Sequence, residues 1–201
     1  TTAHAVINYN AETSGKRKYI MVQLKENVNE KSEAYRNGYR DICEIAKERI
    51  RRATKKIAEE NPEAKFDGGF RVLKCDTSNM KNVYYNPAEY EPSLFTSLED
   101  NIKEDRTSED LLFQVMLDLG VLLSSKIKET TIAGKKVFNV EDNYLIACFD
   151  DNVTEEVITE IAKQKPYYFV MRDSSMANDS VATNFEQIFA AYSPDTVRKV
   201  L

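Results

Sequence analysis

Side chains that could carry out chemistry by themselves are few and widely spaced in this sequence. His4 is its one histidine, so a Cys-His or Ser-His-Asp site would have to be assembled around that residue. The three cysteines, Cys43, Cys75 and Cys148, are far apart, and each lies in an apolar pattern. We expect them to be reduced core thiols, since zinc sites need cysteine or histidine pairs at short spacing. The sequence therefore predicts neither a catalytic residue nor a set of metal ligands.

The acidic residues and the glycines do not indicate a functional site more strongly than the histidine and the cysteines do. Asp150, Asp151 and Asp173 follow predicted strands, and sites in α/β folds form at strand ends. Roles in loops and helix caps are nevertheless the favoured interpretation of these carboxylates. The six glycines are scattered rather than grouped in a phosphate-binding loop. No motif predicts nucleotide binding.

A basic stretch between residues 47 and 56 is the main candidate for contact with DNA. Four of its side chains could lie along a phosphate backbone: Arg49, Arg52, Lys55 and Lys56. Glutamates at helical spacing, such as Glu48, favour the alternative of a solvated face whose charges pair with one another. Tyr84, Tyr85 and Tyr90 could stack on bases, although packing at a domain junction is the favoured role.

Composition is that of a soluble globular protein. The chain has 201 residues, 42% hydrophobic and 30% charged, with a net charge of −5, so we expect one or two domains. This charge argues against a dedicated nucleic-acid coat protein but leaves room for one local basic face. No apolar run approaches the roughly 18 residues that cross a bilayer, and we expect a cytoplasmic protein without membrane contact. Residues 1–4 resemble neither a natural start nor a signal peptide, so we expect a chain trimmed at its N-terminus.

The elements that would position these residues alternate between helix and strand. The first half predicts a helix over residues 1–11, a buried strand over 19–24, a helix over 32–60 that Gly38 divides, and a strand over 70–75. Residues 80–92 predict a domain junction. The second half predicts helices at 94–103, 109–123, 151–163 and 183–192, a hairpin around 133–135, and strands at 144–149 and 167–171. Both halves are therefore predicted to be α/β.

Several segments resemble one protein family in the same order. Residues 1–6 (TTAHAV) and 17–24 (RKYIMVQL) resemble the stretch after the cofactor loop in modification methyltransferases of type III restriction systems. Later segments similar to that family are residues 47–53, 69–74, 76–80 and 172–175. The chain therefore resembles the C-terminal part of a type III modification subunit, and the likeness covers nearly all of it.

The resemblance implies a reaction whose catalytic residues lie outside this chain. Members of the family transfer a methyl group from S-adenosylmethionine to N6 of adenine in double-stranded DNA, after flipping the base out of the stack. Their Asp-Pro-Pro-Tyr motif comes first, a target-recognition region follows, and a Phe-x-Gly-x-Gly loop comes late. This sequence contains neither motif. The resemblance therefore implies a piece that is inactive alone.

Binding residues can be carried over at only a few positions. Thr1 and Thr2 match the positions after the glycine loop, where hydroxyls and helix amides meet the cofactor carboxylate. Gln23 matches the place where related enzymes put an acidic ribose-binding residue, and Glu26 is the alternative.

The resemblance also implies that the two parts of the chain have different roles. Residues 1–80 would be the second half of a Rossmann-like cofactor subdomain, and residues 81–201 a small α/β C-terminal domain. That domain would contact a second modification subunit, the restriction subunit, or the DNA backbone. Two alternatives stay open: a non-enzymatic assembly module, and an independent DNA-binding domain that uses residues 47–56 and binds with steep salt dependence.

Overall fold

A computed structural model describes residues 1–81 and 101–201. The chain divides into two compact units, Thr1–Cys75 and Asp76–Leu201, here called unit 1 and unit 2. Each is described by itself. The predicted helix at 94–103 and the tyrosines Tyr84, Tyr85 and Tyr90 lie outside the described residues, except that residues 101–103 are described and are not helical.

Unit 1, all of whose residues are described, is built on helices. They are α1 (Thr2–Thr13), α2 (Glu33–Arg36) and α3 (Ile42–Glu60). The predicted first helix and the predicted division of the long helix at Gly38 are both confirmed, and Gly38 takes a φ of +92° between α2 and α3. Asp41 begins α3 because its carboxylate accepts a hydrogen bond from the Glu44 amide at 2.8 Å.

A small core joins α1 to α3. Ala3, Ile7 and Ala11 on one face of α1 pack with Ile50 and Ile57 of α3, at the three- and four-residue spacing of a helix face. Tyr19, Ala64, Phe66 and Phe70 lie against this cluster, partly buried.

The two strands predicted in unit 1 are wrong. Residues 19–24 and 70–75 form neither strand nor helix, although the structure describes all of them. Ile20 and Val22, predicted to be buried, are 93% and 91% exposed. An apolar run signals a tendency toward burial, but a strand also needs a neighbouring strand to accept its backbone hydrogen bonds, and unit 1 provides none. The Rossmann-like half-sheet expected for residues 1–80 is therefore not confirmed.

Unit 2 contains a five-stranded mixed sheet. Its strands are β1 (Ile127–Ile132), β2 (Lys135–Val140), β3 (Leu145–Cys148), β4 (Tyr168–Met171) and β5 (Val197–Val200), and they lie side by side in sequence order. The pairs β1–β2 and β2–β3 are antiparallel, whereas β3–β4 and β4–β5 are parallel. The predicted α/β class is confirmed.

Helices cover both faces of this sheet. They are α4 (Ser108–Asp118), α5 (Glu155–Lys163) and α6 (Asp179–Tyr192). Leu112 and Met116 of α4 pack with Phe138 and Val170 on one face. On the other face, α5 and α6 enclose a second cluster with side chains of β3 and β4: Ile146, Phe169, Met171, Val157, Ile158, Ile161, Phe185 and Phe189. Strands buried on both faces explain why β3 and β4 are continuous apolar runs in the sequence.

Most of the elements predicted for unit 2 are confirmed. The structure differs from the prediction in three places. The helix expected at 109–123 ends at Asp118, since Gly120 takes a left-handed φ of +69° just beyond it. The last helix begins at Asp179, capped by the Asn178 side chain, rather than at residue 183. β5 was not predicted. The hairpin turn, the strands β3 and β4, and α5 are confirmed.

The cysteine prediction holds for one of three residues. All three thiols are free, but Cys75 is exposed and Cys43 is half-buried, so only Cys148 is a core thiol. The prediction for Cys75 was wrong because it assumed that residues 70–75 are a buried strand. Burial raises the pKa of the Cys148 thiol to about 11.

Among the helices of the described ranges, none is both long and apolar enough to cross a membrane.

Candidate functional site

The basic residues predicted to contact DNA lie on the outer face of α3. Ile50, Ala53 and Ile57 are buried, and this spacing turns the intervening positions away from the core. The four candidates are all exposed: Arg49, Arg52, Lys55 and Lys56.

Glutamates on the same helix pair with three of these four cations. Arg52 Nε lies 2.7 Å from Glu48 Oε1, and the hydrogen bond to that carboxylate raises the pKa of Arg52. Lys55 lies 3.9 Å from Glu59, and Lys56 lies 3.6 Å from Glu60. Arg49 forms no ion pair with any described residue, so it is the member of the set most available to an outside anion.

Two residues that the sequence did not single out for DNA contact extend this basic face. His4 of α1 and Tyr39, just before α3, line a shallow groove of about 440 Å³ with Arg49, Arg52 and Lys56. Arg52 Nη2 donates to Tyr39 Oη at 3.5 Å. The groove therefore combines cations with a phenol and an imidazole, groups that can donate hydrogen bonds to phosphate oxygens.

Charge is divided unequally between the two units. Residues 1–75 contain 16 Lys and Arg against 11 Asp and Glu, a formal charge of +5. Residues 76–201 contain 12 against 22, a formal charge of −10. The overall charge of −5 conceals this asymmetry. Counting charge over each half of the sequence would have revealed it, and a basic half is the electrostatic footprint of a polyanion-binding surface.

The candidate cofactor residues do not line the groove on α3. Thr1 precedes α1, but its side chain makes no capping hydrogen bond. Gln23 Nε2 donates to the carbonyl of Leu24 at 3.1 Å, and the Glu26 carbonyl accepts from the Ile42 amide at 3.0 Å. Thr1, Thr2, Gln23 and Glu26 are all exposed. With these contacts, the four residues do not by themselves form a pocket that fits a cofactor.

The acidic residues at the carboxyl ends of β3 and β4 hold loops together. Asp150 Oδ2 accepts from the Lys136 amide at 2.7 Å. Asp151 Oδ1 lies 2.8 Å from Arg172 Nη2, and the Arg172 guanidinium also donates to Ser174 Oγ. No group of three or more potential metal-ligating side chains occurs in the described part of the chain.

Comparison with curated proteins gives three relatives of one kind. The chain is 30% identical over 190 residues to the EcoP15I Mod subunit of Escherichia coli, a type III restriction-modification enzyme. It is 39% identical over 83 residues to the StyLTI Mod subunit of Salmonella typhimurium, and 29% identical over 165 residues to the EcoPI Mod subunit of Escherichia phage P1. No protein-family model matches the chain.

By sequence, the chain belongs to the family of type III modification subunits. The EcoP15I and EcoPI alignments cover 92% and 82% of this chain, so both structural units contribute to the relationship. The resemblance inferred from the ordered segments is confirmed. The chain spans about a quarter of the length of these two subunits, 27% and 24%, and 13% of the StyLTI subunit.

Proposed function

We propose that this chain is the C-terminal part of a DNA methyltransferase subunit that moves a methyl group from S-adenosylmethionine to N6 of adenine in a cytoplasmic restriction-modification system. Its role is to support the chemistry without containing it. Residues 1–80 would complete the cofactor subdomain, and residues 81–201 would form a domain for assembly or DNA-backbone contact.

The observation that carries this proposal is the alignment with a type III modification subunit over 92% of the chain. Within the described ranges, no side-chain cluster assembles a metal site, and the chain's one histidine lies in a basic groove. A relative that is more than three times as long has ample room for catalytic residues elsewhere.

Partners and ligands follow from the same proposal. Double-stranded DNA would meet the α3 face through Arg49, Arg52, Lys55 and Lys56. S-adenosylmethionine would be bound by the complete subunit, with Thr1, Thr2, Gln23 and Glu26 contributing only when the rest of its pocket is present. A second modification subunit and a restriction subunit would complete the assembly.

A methyl-transfer assay tests the proposal. Radiolabelled S-adenosylmethionine and adenine-containing duplex DNA should give no product with this chain alone. A chimera in which the chain replaces the aligned residues of the EcoP15I Mod subunit should restore transfer to adenine N6. Turnover by the isolated chain would contradict the placement of the catalytic residues, and a well-folded but inactive chimera would contradict the assigned role.

A non-enzymatic assembly module is the second candidate. Unit 2 favours it, because helices cover both faces of its sheet, and the described part of that unit holds no group of three or more potential metal-ligating side chains. Sedimentation equilibrium distinguishes the two. A chain that stays monomeric and does not bind the remainder of the EcoP15I Mod subunit would exclude the assembly role.

A further inference from the structure

Three tyrosines lie together where β3 and β4 begin, and are here called the tyrosine cluster: Tyr144, Tyr167 and Tyr168. Tyr144 and Tyr167 stack with their ring planes 4° apart and their centroids 5.4 Å apart. Tyr168 meets both rings edge-on, at 5.6 and 4.8 Å, and is partly buried against the core on the α4 side of the sheet. Tyr144 and Tyr167 are 40% and 54% exposed. Exposed aromatic rings that already pack on one another are typical of a contact surface.

Loops with left-handed backbone precede both exposed rings. Asp142 and Asn143 take φ values of +47° and +75° just before Tyr144, and Lys165 takes +52° two residues before Tyr167. Such conformations are uncommon outside glycine and are concentrated at functional sites. The two loops are also tied together, because the Tyr167 amide donates to the Asn143 carbonyl at 3.0 Å. The rings are therefore held in place before a partner arrives, which lowers the entropic cost of binding.

The charge around the tyrosine cluster favours a cationic partner. The turn before Tyr144 carries two exposed carboxylates, Glu141 and Asp142, whereas the loop before Tyr167 carries one lysine, Lys165. Unit 2 as a whole has a formal charge of −10. A field of this sign attracts a basic protein and repels both nucleic acid and a second copy of the same unit.

Arginine is the cation that best fits stacked tyrosine rings. Its guanidinium is planar, so it can stack on an aromatic face while it pairs with a carboxylate, whereas the lysine ammonium is a compact, strongly hydrated charge. This chain contains the same contact elsewhere, since Arg17 lies 4.3 Å from the centroid of the Tyr9 ring and Arg40 lies 4.0 Å from that of Tyr35. Within the described ranges, no arginine or lysine lies over a ring of the tyrosine cluster.

We propose that the tyrosine cluster is an interaction surface for a basic protein partner. The partner places an arginine side chain on the exposed rings of Tyr144 and Tyr167, and the Asp142 carboxylate pairs with that arginine. The inference rests on the proposed function in one respect, since the assembly role of residues 81–201 provides for a protein partner. It adds the chemistry by which unit 2 recognises that partner.

Fluorescent peptides test the choice of cation. At low salt, an arginine-rich peptide should bind the chain about threefold more tightly than the same peptide with lysine at each arginine position. The double variant Tyr144→Ala, Tyr167→Ala should weaken binding of the arginine peptide by about tenfold and abolish the preference. The double variant Tyr144→Phe, Tyr167→Phe should keep the preference, because it keeps both rings. Equal binding of the two peptides by the wild type would overturn the proposal.

Two single variants separate the cluster from its surroundings. Tyr192→Ala is the matched control, because Tyr192 is 44% exposed in unit 2 and its ring already has the Lys163 ammonium 5.8 Å away. It should bind the arginine peptide as the wild type does, and a loss equal to that of the double alanine variant would overturn the proposal. Asp142→Asn removes the carboxylate at a position where asparagine accepts the left-handed backbone. It should weaken both peptides by about threefold, and unchanged binding would overturn the pairing with Asp142.

Nuclear magnetic resonance of the chain with isotope-labelled tyrosine rings gives a test that does not require the alanine variants to fold. Single phenylalanine variants assign the ring signals. The arginine peptide should shift the signals of Tyr144 and Tyr167 and leave that of Tyr192 in place. If the cluster signals do not move, the proposal is overturned.

Two other ligands are outcomes of the same experiments. Oligothymidylate that shifts the cluster signals more strongly than the arginine peptide does would make nucleobases the ligand and overturn the choice of a protein. A doubled mass in sedimentation equilibrium that the double alanine variant abolishes would make a second copy the occupant, and would overturn it as well.

The inference and the proposed function fail in different ways. Methyl transfer by the EcoP15I chimera, together with equal binding of the arginine and lysine peptides, would overturn the tyrosine surface and leave the proposed function standing. Arginine-specific binding at the cluster, together with a well-folded but inactive chimera, would do the reverse.

Discussion

At the scale of single residues, three phenylalanines hold the α5–α6 side of the unit 2 sheet. Phe169 of β4 stacks on Phe189 at 5.3 Å between ring centroids and lies 6.0 Å from Phe185. Phe169 is fully buried. Phe169→Ala should lower the free energy of unfolding of unit 2 by about 3–5 kcal/mol, because it removes buried surface and leaves a cavity. Urea unfolding followed by circular dichroism measures this, with the exposed Leu122→Ala as the control. Equal losses of unfolding free energy in Phe169→Ala and Leu122→Ala would contradict the burial of Phe169.

The buried thiol of Cys148 makes a pH-dependent contribution to stability. Its pKa is raised from 9.0 to about 11 in the folded chain, so the folded state holds the proton more tightly than the unfolded state does. The contribution is complete below about pH 9 and is lost as the pH rises from 9 to about 11. The stability difference between wild type and Cys148→Ala should therefore narrow over that interval. A difference that does not change with pH would contradict the prediction.

Only some residues of the candidate site could be predicted from the sequence. The exposed face of α3 could be predicted, because burial of Ile50, Ala53 and Ile57 follows from helical spacing alone. The Glu48–Arg52 pair was foreseeable for the same reason. His4 and Tyr39 were not foreseeable, since His4 reaches the groove only through the packing of α1 on α3, and Tyr39 lies in the loop between α2 and α3.

At the scale of elements, the cap of α4 is a local device that can be tested directly. Thr107 Oγ1 accepts a hydrogen bond from the Asp110 amide, and the Asp110 carboxylate accepts from the Thr107 amide at 2.8 Å. The hydrogen bonds that the Thr107 amide and hydroxyl donate to the Asp110 carboxylate lower the pKa of that carboxyl group. Thr107→Ala should cost about 1 kcal/mol of unfolding free energy, whereas Thr107→Ser should cost much less. Urea titrations of the two variants test this, and similar losses would show that the methyl group rather than the hydroxyl matters.

Helices proved more predictable than strands for a physical reason. A helix satisfies its own backbone, so spacing and cap residues such as Thr107 largely determine it. A strand depends on another part of the chain. Residues 144–149 and 19–24 look alike in sequence, yet the first pairs with β2 and β4, while the second pairs with no strand in the described part of the chain. The four-residue strand β5 was not predicted, because its sequence, Val-Arg-Lys-Val, is too short to show a hydrophobic period.

At the scale of the whole molecule, a basic unit and an acidic unit are joined in one chain. Their formal charges of +5 and −10 mean that any attraction to DNA should come from residues 1–75 and be opposed by residues 76–201. Each DNA phosphate that the α3 face neutralises should contribute about −0.9 to the slope of log affinity against log salt concentration. Binding should therefore be weak near physiological salt and strengthen steeply as salt is lowered.

Replacing the four α3 cations tests where that binding occurs. The variant Arg49→Gln, Arg52→Gln, Lys55→Gln and Lys56→Gln should reduce the salt slope by about one for each DNA phosphate that is no longer neutralised, equally for specific and random duplexes. Fluorescence anisotropy of a labelled duplex over a range of salt concentrations measures the slope. The matched control removes four positive charges from unit 2: Lys126→Gln, Lys128→Gln, Lys135→Gln and Lys163→Gln. Because those lysines lie on the acidic unit, the control should keep the slope of the wild type. If both variants reduce the slope equally, the attraction reflects total charge, and α3 has no special role in binding DNA.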